Sequence, residues 1–477
     1  MSGFGIRAAF NIGKKSLSAQ SAGLNVTGNN IANVNTEGYS RQELSLNPSM
    51  PLKGPDGIFG TGVDIEGVRR IRDKLIDNQL RAELQLKGNH AALEGIYNQV
   101  QTIINEPSEV GLRALLSEFF DNFYELSNNP EDIPIRFNVR EQAKLVTSAF
   151  HRIDEQLRTL SNDVEFEIKR TVERFNSLSA EVAVLNNQIV TLEGASKGTA
   201  NDLRDQRDRI LDEMSEVMEI FPFEKPNGAI NIATQSQTIV TSNIPVEFDV
   251  RTRSENGNLM SDIVVAGEED VFVVHDGTLG GLIEARNEIM PHFRDRLNEL
   301  ASELITKVNN IHLNGVGLQG TSPTIPKDIR FFTGSDAITI ALDYDILEDV
   351  KNIAAAERKD ILQSNGQILT TGSPGSNEIA LQIADLKRKL ILNDGTESLI
   401  DFFNSVVSEV GIRTKEAADN VNNVDLLIEQ FSNLRDTVSG VSLDEEFVNL
   451  IKFQRGYQAS ARLITTVDSM FETLINM

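Results

Sequence analysis

The chain has 477 residues, 40% of them hydrophobic and 24% charged, enough to fill several packed cores and too apolar for a disordered polymer. A formal net charge of -25 repels phosphate backbones and argues against broad nucleic-acid binding. Cysteine is absent, which excludes disulfides, thiolate metal sites and cysteine nucleophiles.

The N-terminus has no long apolar stretch or cleavage signature, so no secretory signal peptide is expected. No segment reaches the ~18–20 apolar residues of a membrane span, so no membrane insertion is expected. Ile6, Phe10, Gly13, Leu17, Gln20, Leu24, Thr27 and Ile31 alternate at spacings of four and three, which predicts one helix with a coiled-coil seam. Gly13, Gly23 and Gly28 each cost that helix roughly 1 kcal/mol against alanine. The cluster Asn29, Asn30, Asn33, Asn35 and Gly38 predicts its stop.

Residues 67–105 read as a helix, and 110–127 as another, rich in Phe119, Phe120 and Phe123 and broken at Pro130. A long helix over 131–193 follows, with Val146, Phe150, Ile153, Leu157, Leu160 and Val164 in the same alternation. After a slip the pattern resumes at Phe175, Leu178, Val182, Leu185, Ile189 and Leu192. Gly194–Gly198 turns the chain back into a helix at 199–219, forming an antiparallel hairpin. Short β-branched runs between Pro222 and Val274 predict a small β-rich insert over 220–277. Helical periodicity returns at 279–313, a loop-rich part covers 314–375, and helices resume at 376–392 and 396–438. The last helix starts at an S-x-x-E capping box, Ser442 and Glu445, after the Ser439-Gly440 joint. Leu443, Phe447, Leu450, Gln454, Tyr457, Ala461 and Ile464 give it a second four-three seam, extended by Phe471 and Leu474.

Both terminal helices are diluted by polar or small residues and are marginal alone. They are expected to fold on each other or on neighbouring copies, and to be disordered in the monomer. The fold class is mainly α with inserted β: a long helical bundle built from N- and C-terminal segments, plus a small outer β-rich domain. The expected units are 1–44 with 439–477 as a terminal coiled coil, 45–219 with 278–318 and 371–438 as a helical bundle, the 220–277 insert, and a 319–370 loop/β segment.

Catalytic motifs are missing. His90, His151, His275, His292 and His312 lack metal-ligand spacing and read as surface or packed side chains. Gly315-Val316-Gly317-Leu318-Gln319-Gly320 matches G-x-G-x-x-G but follows a helix and precedes prolines, so it reads as a loop. The Asp202–Asp208 charge run reads as a solvated helix face. No cofactor, metal or enzymatic activity is expected.

Asn29-Asn30-Ile31-Ala32-Asn33-Val34-Asn35-Thr36-Glu37-Gly38-Tyr39-Ser40-Arg41-Gln42 resembles the N-terminal signature of flagellar rod, hook and hook-associated proteins. Ser439–Glu446, Asn449-Leu450-Ile451, Phe453-Gln454 and Tyr457–Arg462 resemble the C-terminal signature of that group. Ser40-Arg41-Gln42 is most similar to the hook-associated protein 1 (FlgK) family. Gly28, Glu37 and Gly456 depart from the common residues.

The resemblance implies a non-catalytic subunit of the ring at the hook–filament junction, outside the cell, exported by the flagellar type III route without a cleaved signal. Its implied partners are copies of itself, the hook protein, the next hook-associated protein and a cytosolic export chaperone. The expected interface comprises Ile6, Phe10, Leu17, Leu24, Ile31, Asn33, Asn35, Gly38, Tyr39, Arg41, Leu443, Phe447, Leu450, Tyr457, Ala461, Ile464, Phe471 and Leu474. The alternatives are another axial subunit, hook or distal rod, or a secreted adhesin or enzyme on a flagellar scaffold.

Overall fold

The computed structural model describes residues 3–475 except 55–56, 105–107, 109–110, 196–197, 236, 256–257, 319–328, 363–367 and 372–374. Helix α1, Gly3–Ala32, is followed by strands β1 (Gln42–Pro48), β2 (Leu52–Gly54), β3 (Gly57–Phe59) and β4 (Val63–Arg70). β1 and β4 form an antiparallel ribbon in register Gln42 to Arg70, with a bulge between Ser45 and Leu46. β2 and β3 close a hairpin at its tip. The helix expected from residue 67 begins only at Lys74. The local pattern explains the difference. Val63 and Ile65 alternate with Asp64 and Glu66, a strand period, and Gly54-Pro55-Asp56-Gly57 is a turn sequence.

Helices α2 (Lys74–Ile104), α3 (Leu112–Asn128), α4 (Ile133–Ala195) and α5 (Asn201–Val217) build the body. α4 has 63 residues and is therefore roughly 95 Å long. Its apolar positions from Val146 to Val164 are buried as the periodicity predicts. The slip is a local widening of the repeat: Ile168 and Val172 continue the buried stripe in steps of four before Phe175. α5 packs back along α4 as the hairpin.

The 220–277 insert contains two small antiparallel sheets. One has the order β5 (Phe221–Glu224), β6 (Ile230–Ala233), β7 (Thr238–Thr241) and β8 (Ile244–Pro245). The other joins β9 (Phe248–Glu255), β10 (Asn258–Val265) and β11 (Val271–Phe272). Asn176 of α4 exchanges two hydrogen bonds with the Phe248 backbone, at 2.8 and 2.9 Å, pinning the second sheet to the long helix.

α6 (Gly277–Glu284), a π-turn and α7 (Met290–His312) return the chain to the bundle. The excursion that follows contains β12 (Gly315–Val316), β13 (Phe332–Thr333), β14 (Ala341–Leu342), α8 (Tyr344–Glu348), β15 (Ala356–Glu357), β16 (Lys359–Leu362) and β17 (Ile368–Thr371). Phe331 and Phe332 of this excursion stack edge-on or tilted against Phe119, and Phe331 also against Phe123, so α3 and the excursion share one aromatic core. Gly315 and Val316 of the glycine-rich sequence lie in β12; Gln319 and Gly320 lie outside the described residues. A side chain at Gly317 would meet the Lys351 carbonyl at 2.1 Å, so this glycine permits a close backbone crossing.

α9 (Glu378–Asp385) is shorter than the 376–392 expected. The N–H groups of Leu386, Lys387 and Arg388 bond three residues back, and the chain turns through Asn393 and Gly395, both at positive φ. α10 (Leu399–Ser439) then packs along α2, and α11 (Leu443–Ile475) lies on α1.

Candidate assembly site: the terminal helix pair and its joint

α1 and α11 meet through small and polar side chains. Gly13, Ala19, Gly23, Thr27 and Asn30 form the buried stripe of α1, and Glu446, Ser460 and Val467 are buried on α11. At Gly13 and Gly23 the facing side chains are Ile464 and Phe453, so close that an added Cβ would lie 2.9 and 2.6 Å from them. Ser16 and Ser460 share a hydroxyl–hydroxyl bond of 2.7 Å at the middle of the contact.

The contact stripe therefore mixes small and polar residues with Ile6 and Ile464, while several of the larger seam members turn out of it. Of the residues expected at an interface, Ile6 is buried, while Leu17, Leu24, Ile31, Leu450, Ala461, Ile464 and Phe471 are half-buried. Phe10, Leu443, Phe447 and Tyr457 stay exposed, at 37 to 51%. The Leu474 side chain lies outside the described residues. Val448, Ile451, Leu463 and Met470 are exposed as well, so α11 carries an apolar surface that α1 does not cover.

The joint below the pair is organised by Asn30, 1% exposed. Its Nδ2 donates to the Gln42 carbonyl (2.9 Å) and to Glu446 Oε2 (3.1 Å). Its Oδ1 accepts from Gln42 N (3.0 Å) and from the Tyr39 hydroxyl (2.9 Å). All four bonds available to an asparagine side chain are made. Asn33, half-buried, caps the end of α1 by donating to Asn29, and accepts from Thr36; Asn35 and Gly38 are exposed, with Gly38 at φ +75. Burial, then Asp202, Asp205 and Glu446, push the Tyr39 hydroxyl above its ordinary pKa and keep it a donor.

Arg41 joins the two ends of the chain. Its Nε donates to buried Glu446 at 2.9 Å, its Nη2 pairs with Glu445 at 3.1 Å, and its N–H donates to the Ser439 carbonyl. Glu445, read as a capping-box partner, thus reaches across to the N-terminal joint.

The Asp202–Asp208 run is not a solvated face. Asp205 and Asp208 are buried at the junction of joint, ribbon and body. Asp205 accepts from the Ser40 N–H (3.0 Å) and hydroxyl (2.6 Å) and pairs with Arg70 at 2.7 Å. Asp208 pairs with Arg70 at 2.8 Å and Arg72 at 3.1 Å, and Asp212 with Arg81 at 2.8 Å and Arg435 at 2.9 Å. Burial raises the Asp208 carboxyl, but Arg72, Arg70 and Arg81 outweigh it and hold the group below its ordinary range. The sequence signal for this network is Arg69-Arg70-Ile71-Arg72, three cations within four residues of an acidic chain. Reading the acidic run by itself hid the complementarity.

Among the described residues no cluster of His, Asp or Glu could hold a metal ion, and no helix is long and apolar enough to cross a membrane. His312 is packed, and His151 bonds the Ile340 carbonyl. This is interface geometry: paired terminal helices joined through a polar network to a helical body, the class of structural subunits that make contacts and not chemistry.

Comparison with known proteins narrows that class. Residues 97–325 match the flagellar hook-associated protein FlgK helical domain. Residues 10–39 match the flagella basal body rod protein family, and 437–477 the C-terminal region of the flagellar basal body rod FlgEFG proteins. The chain is 28% identical to flagellar hook-associated protein 1 of Bacillus subtilis (strain 168), over 97% of this chain and 96% of that one. It is 26% identical to the protein of the same name from Escherichia coli (strain K12), over 97% and 98%. The solved flagellar hook junction protein FlgK from Burkholderia pseudomallei shares the fold, with a TM-score of 0.64, 14% identity, and coverage of 76% of this chain and all of that one. The chain is thus similar to flagellar hook-associated protein 1 (FlgK) over nearly its full length.

Proposed function

We propose that the chain is a structural, non-catalytic subunit of the bacterial flagellum at the hook–filament junction, assembling with copies of itself through its paired terminal helices. The observation that carries this is the α1–α11 pair: closed on one side by glycines and serines, it leaves Phe10, Leu443, Phe447 and Tyr457 bare on the other. A buried contact stripe with an uncovered apolar flank is what a second copy would occupy. Full-length similarity to hook-associated protein 1 supports the junction over hook or distal rod. Adjoining partners in this reading are the hook protein and the next hook-associated protein, with a chaperone in the cytosol and export without a cleaved signal. Before assembly the helix pair is mobile and becomes fixed when neighbours cover it.

The test is deletion of residues 440–477. The body is expected to stay folded while incorporation into flagella is lost; normal incorporation overturns the reading. Immunolabelling of isolated flagella separates a short junction band from a coat along the hook. Solution NMR of the isolated chain checks the mobility of both terminal segments.

A further inference from the structure

A cavity of about 360 Å³ lies between β4, the start of α2, α5 and β5, away from the terminal helix contact. Seven of its lining residues are Arg or Lys, against Asp77, Asp208 and Glu224. Most of these cations are already engaged: Arg70, Arg72 and Arg81 with the aspartates of α5 and α2, Arg204 with Glu193 and Glu224, Lys74 with Glu224.

Arg207 is the exception. It is 1% exposed, and among the described residues it forms no ion pair. Only its Nη1 is bonded, donating to Asn186 Oδ1 (2.9 Å) and the Gly228 carbonyl (2.8 Å), both neutral. Its Nε is buried without a partner. Burial lowers the guanidinium pKa to about 10, although Asp208 and Glu224 nearby act in the opposite direction. A buried guanidinium without a direct ion pair is costly, and its fork geometry suits an oxyanion. Lys74 is 80% exposed at the side chain and Arg69 66%, so both can swing over the cavity mouth. Pro222 and Ile230 give it an apolar wall, with room for more than one small ion.

We propose that this cavity binds a phosphate-class oxyanion, free or as the phosphate group of a small organic molecule, held by Arg207 inside and by Lys74 and Arg69 at the mouth. A bound oxyanion would join ribbon, insert and α5 and stiffen the base of the axial unit.

The test is calorimetry and thermal unfolding of the full chain in inorganic phosphate, against chloride at matched ionic strength. Two charge-assisted contacts place saturable binding near ~1 mM. Arg207→Gln is expected to abolish it and Lys74→Ala to weaken it roughly fivefold. Lys144→Ala, about 60 Å along α4 from Asn186, should leave it unchanged. If Arg207→Gln fails to fold, Lys74→Ala against Lys144→Ala decides. No saturable signal, or equal losses in the two lysine variants, overturns the proposal. Glycerol 3-phosphate binding more tightly than inorganic phosphate assigns the cavity to a phosphomonoester, and the reverse to the free ion; both support it.

Discussion

At the scale of single residues, two buried polar side chains fix places where the chain crosses itself. Asn30 holds α1, the Gln42 backbone, Tyr39 and Glu446 together. Asn30→Ala leaves Glu446 and the Gln42 amide without this partner, and should cost the joint about 2–3 kcal/mol. Faster hydrogen exchange at the end of α1, with the body unchanged, is the expected readout. His312 does the same for the 329–354 excursion. Its Nδ1–H donates to the Ile329 carbonyl at 2.9 Å and its Nε2 accepts from Ala354 N at 2.9 Å. Protonation would place an N–H against an N–H. Burial accordingly lowers its pKa to about 4 from the ordinary 6.5. The unfolded chain therefore binds the proton first as pH falls. The stabilisation is complete above pH 6.5 and is lost as pH drops towards 4, about 3 kcal/mol in all. NMR titration of the His312 ring checks this; an ordinary midpoint near 6.5 would contradict it.

At the scale of elements, the glycines of α1 divide into two kinds. In the sequence Gly13, Gly23 and Gly28 are equal burdens on helix stability, but of these three only Gly28 faces open space. Gly28→Ala should stabilise the helix by about 0.5–1 kcal/mol. Gly23→Ala carries the same propensity gain but drives a methyl group into the Phe453 ring, and should weaken the α1–α11 contact. Opposite changes in the melting of the terminal helices would confirm the assignment, and two parallel changes would refute it. The existence of both terminal helices, α4 with its stutter, and the outer β insert was legible in the sequence, because long periodic stripes and β-branched runs are local signals. The rotation of the seam was not. Which side of an amphipathic helix touches its partner depends on how closely the backbones approach, and glycines read as defects set that distance. The β1–β4 ribbon escaped because Leu44 and Val68 are only half-buried and Leu46 and Ile65 are exposed, a weak two-stranded pattern beside a strongly helical stretch.

At the scale of the whole molecule, the Arg–Asp network joins the axial unit to the body. Asp208 lies among Arg70, Arg72 and Arg81, so Asp208→Asn would leave like charges crowded in a buried site. A loss of about 3–5 kcal/mol is expected, read as a lowered unfolding midpoint in urea. The carboxyl sits below its ordinary value of 3.8, so its contribution is complete above that pH and disappears as the solution becomes more acidic. The candidate site was only half visible for a related reason: Asn33–Arg41 and the seams announce themselves locally, but a partner 165 residues away, such as Asp205 for Ser40, leaves no local trace.

The serine pair at the centre of the helix contact spans 444 positions of sequence. Closing so large a loop from an open chain is entropically expensive. Once the body has folded, however, the Arg41 amide already lies on the Ser439 carbonyl, and only two short arms remain to be brought together. On the logarithmic scaling of loop closure this lowers the cost by about 2 kcal/mol. The terminal helices should therefore zip last, in a fast step after a slow one, starting at the joint and running outward.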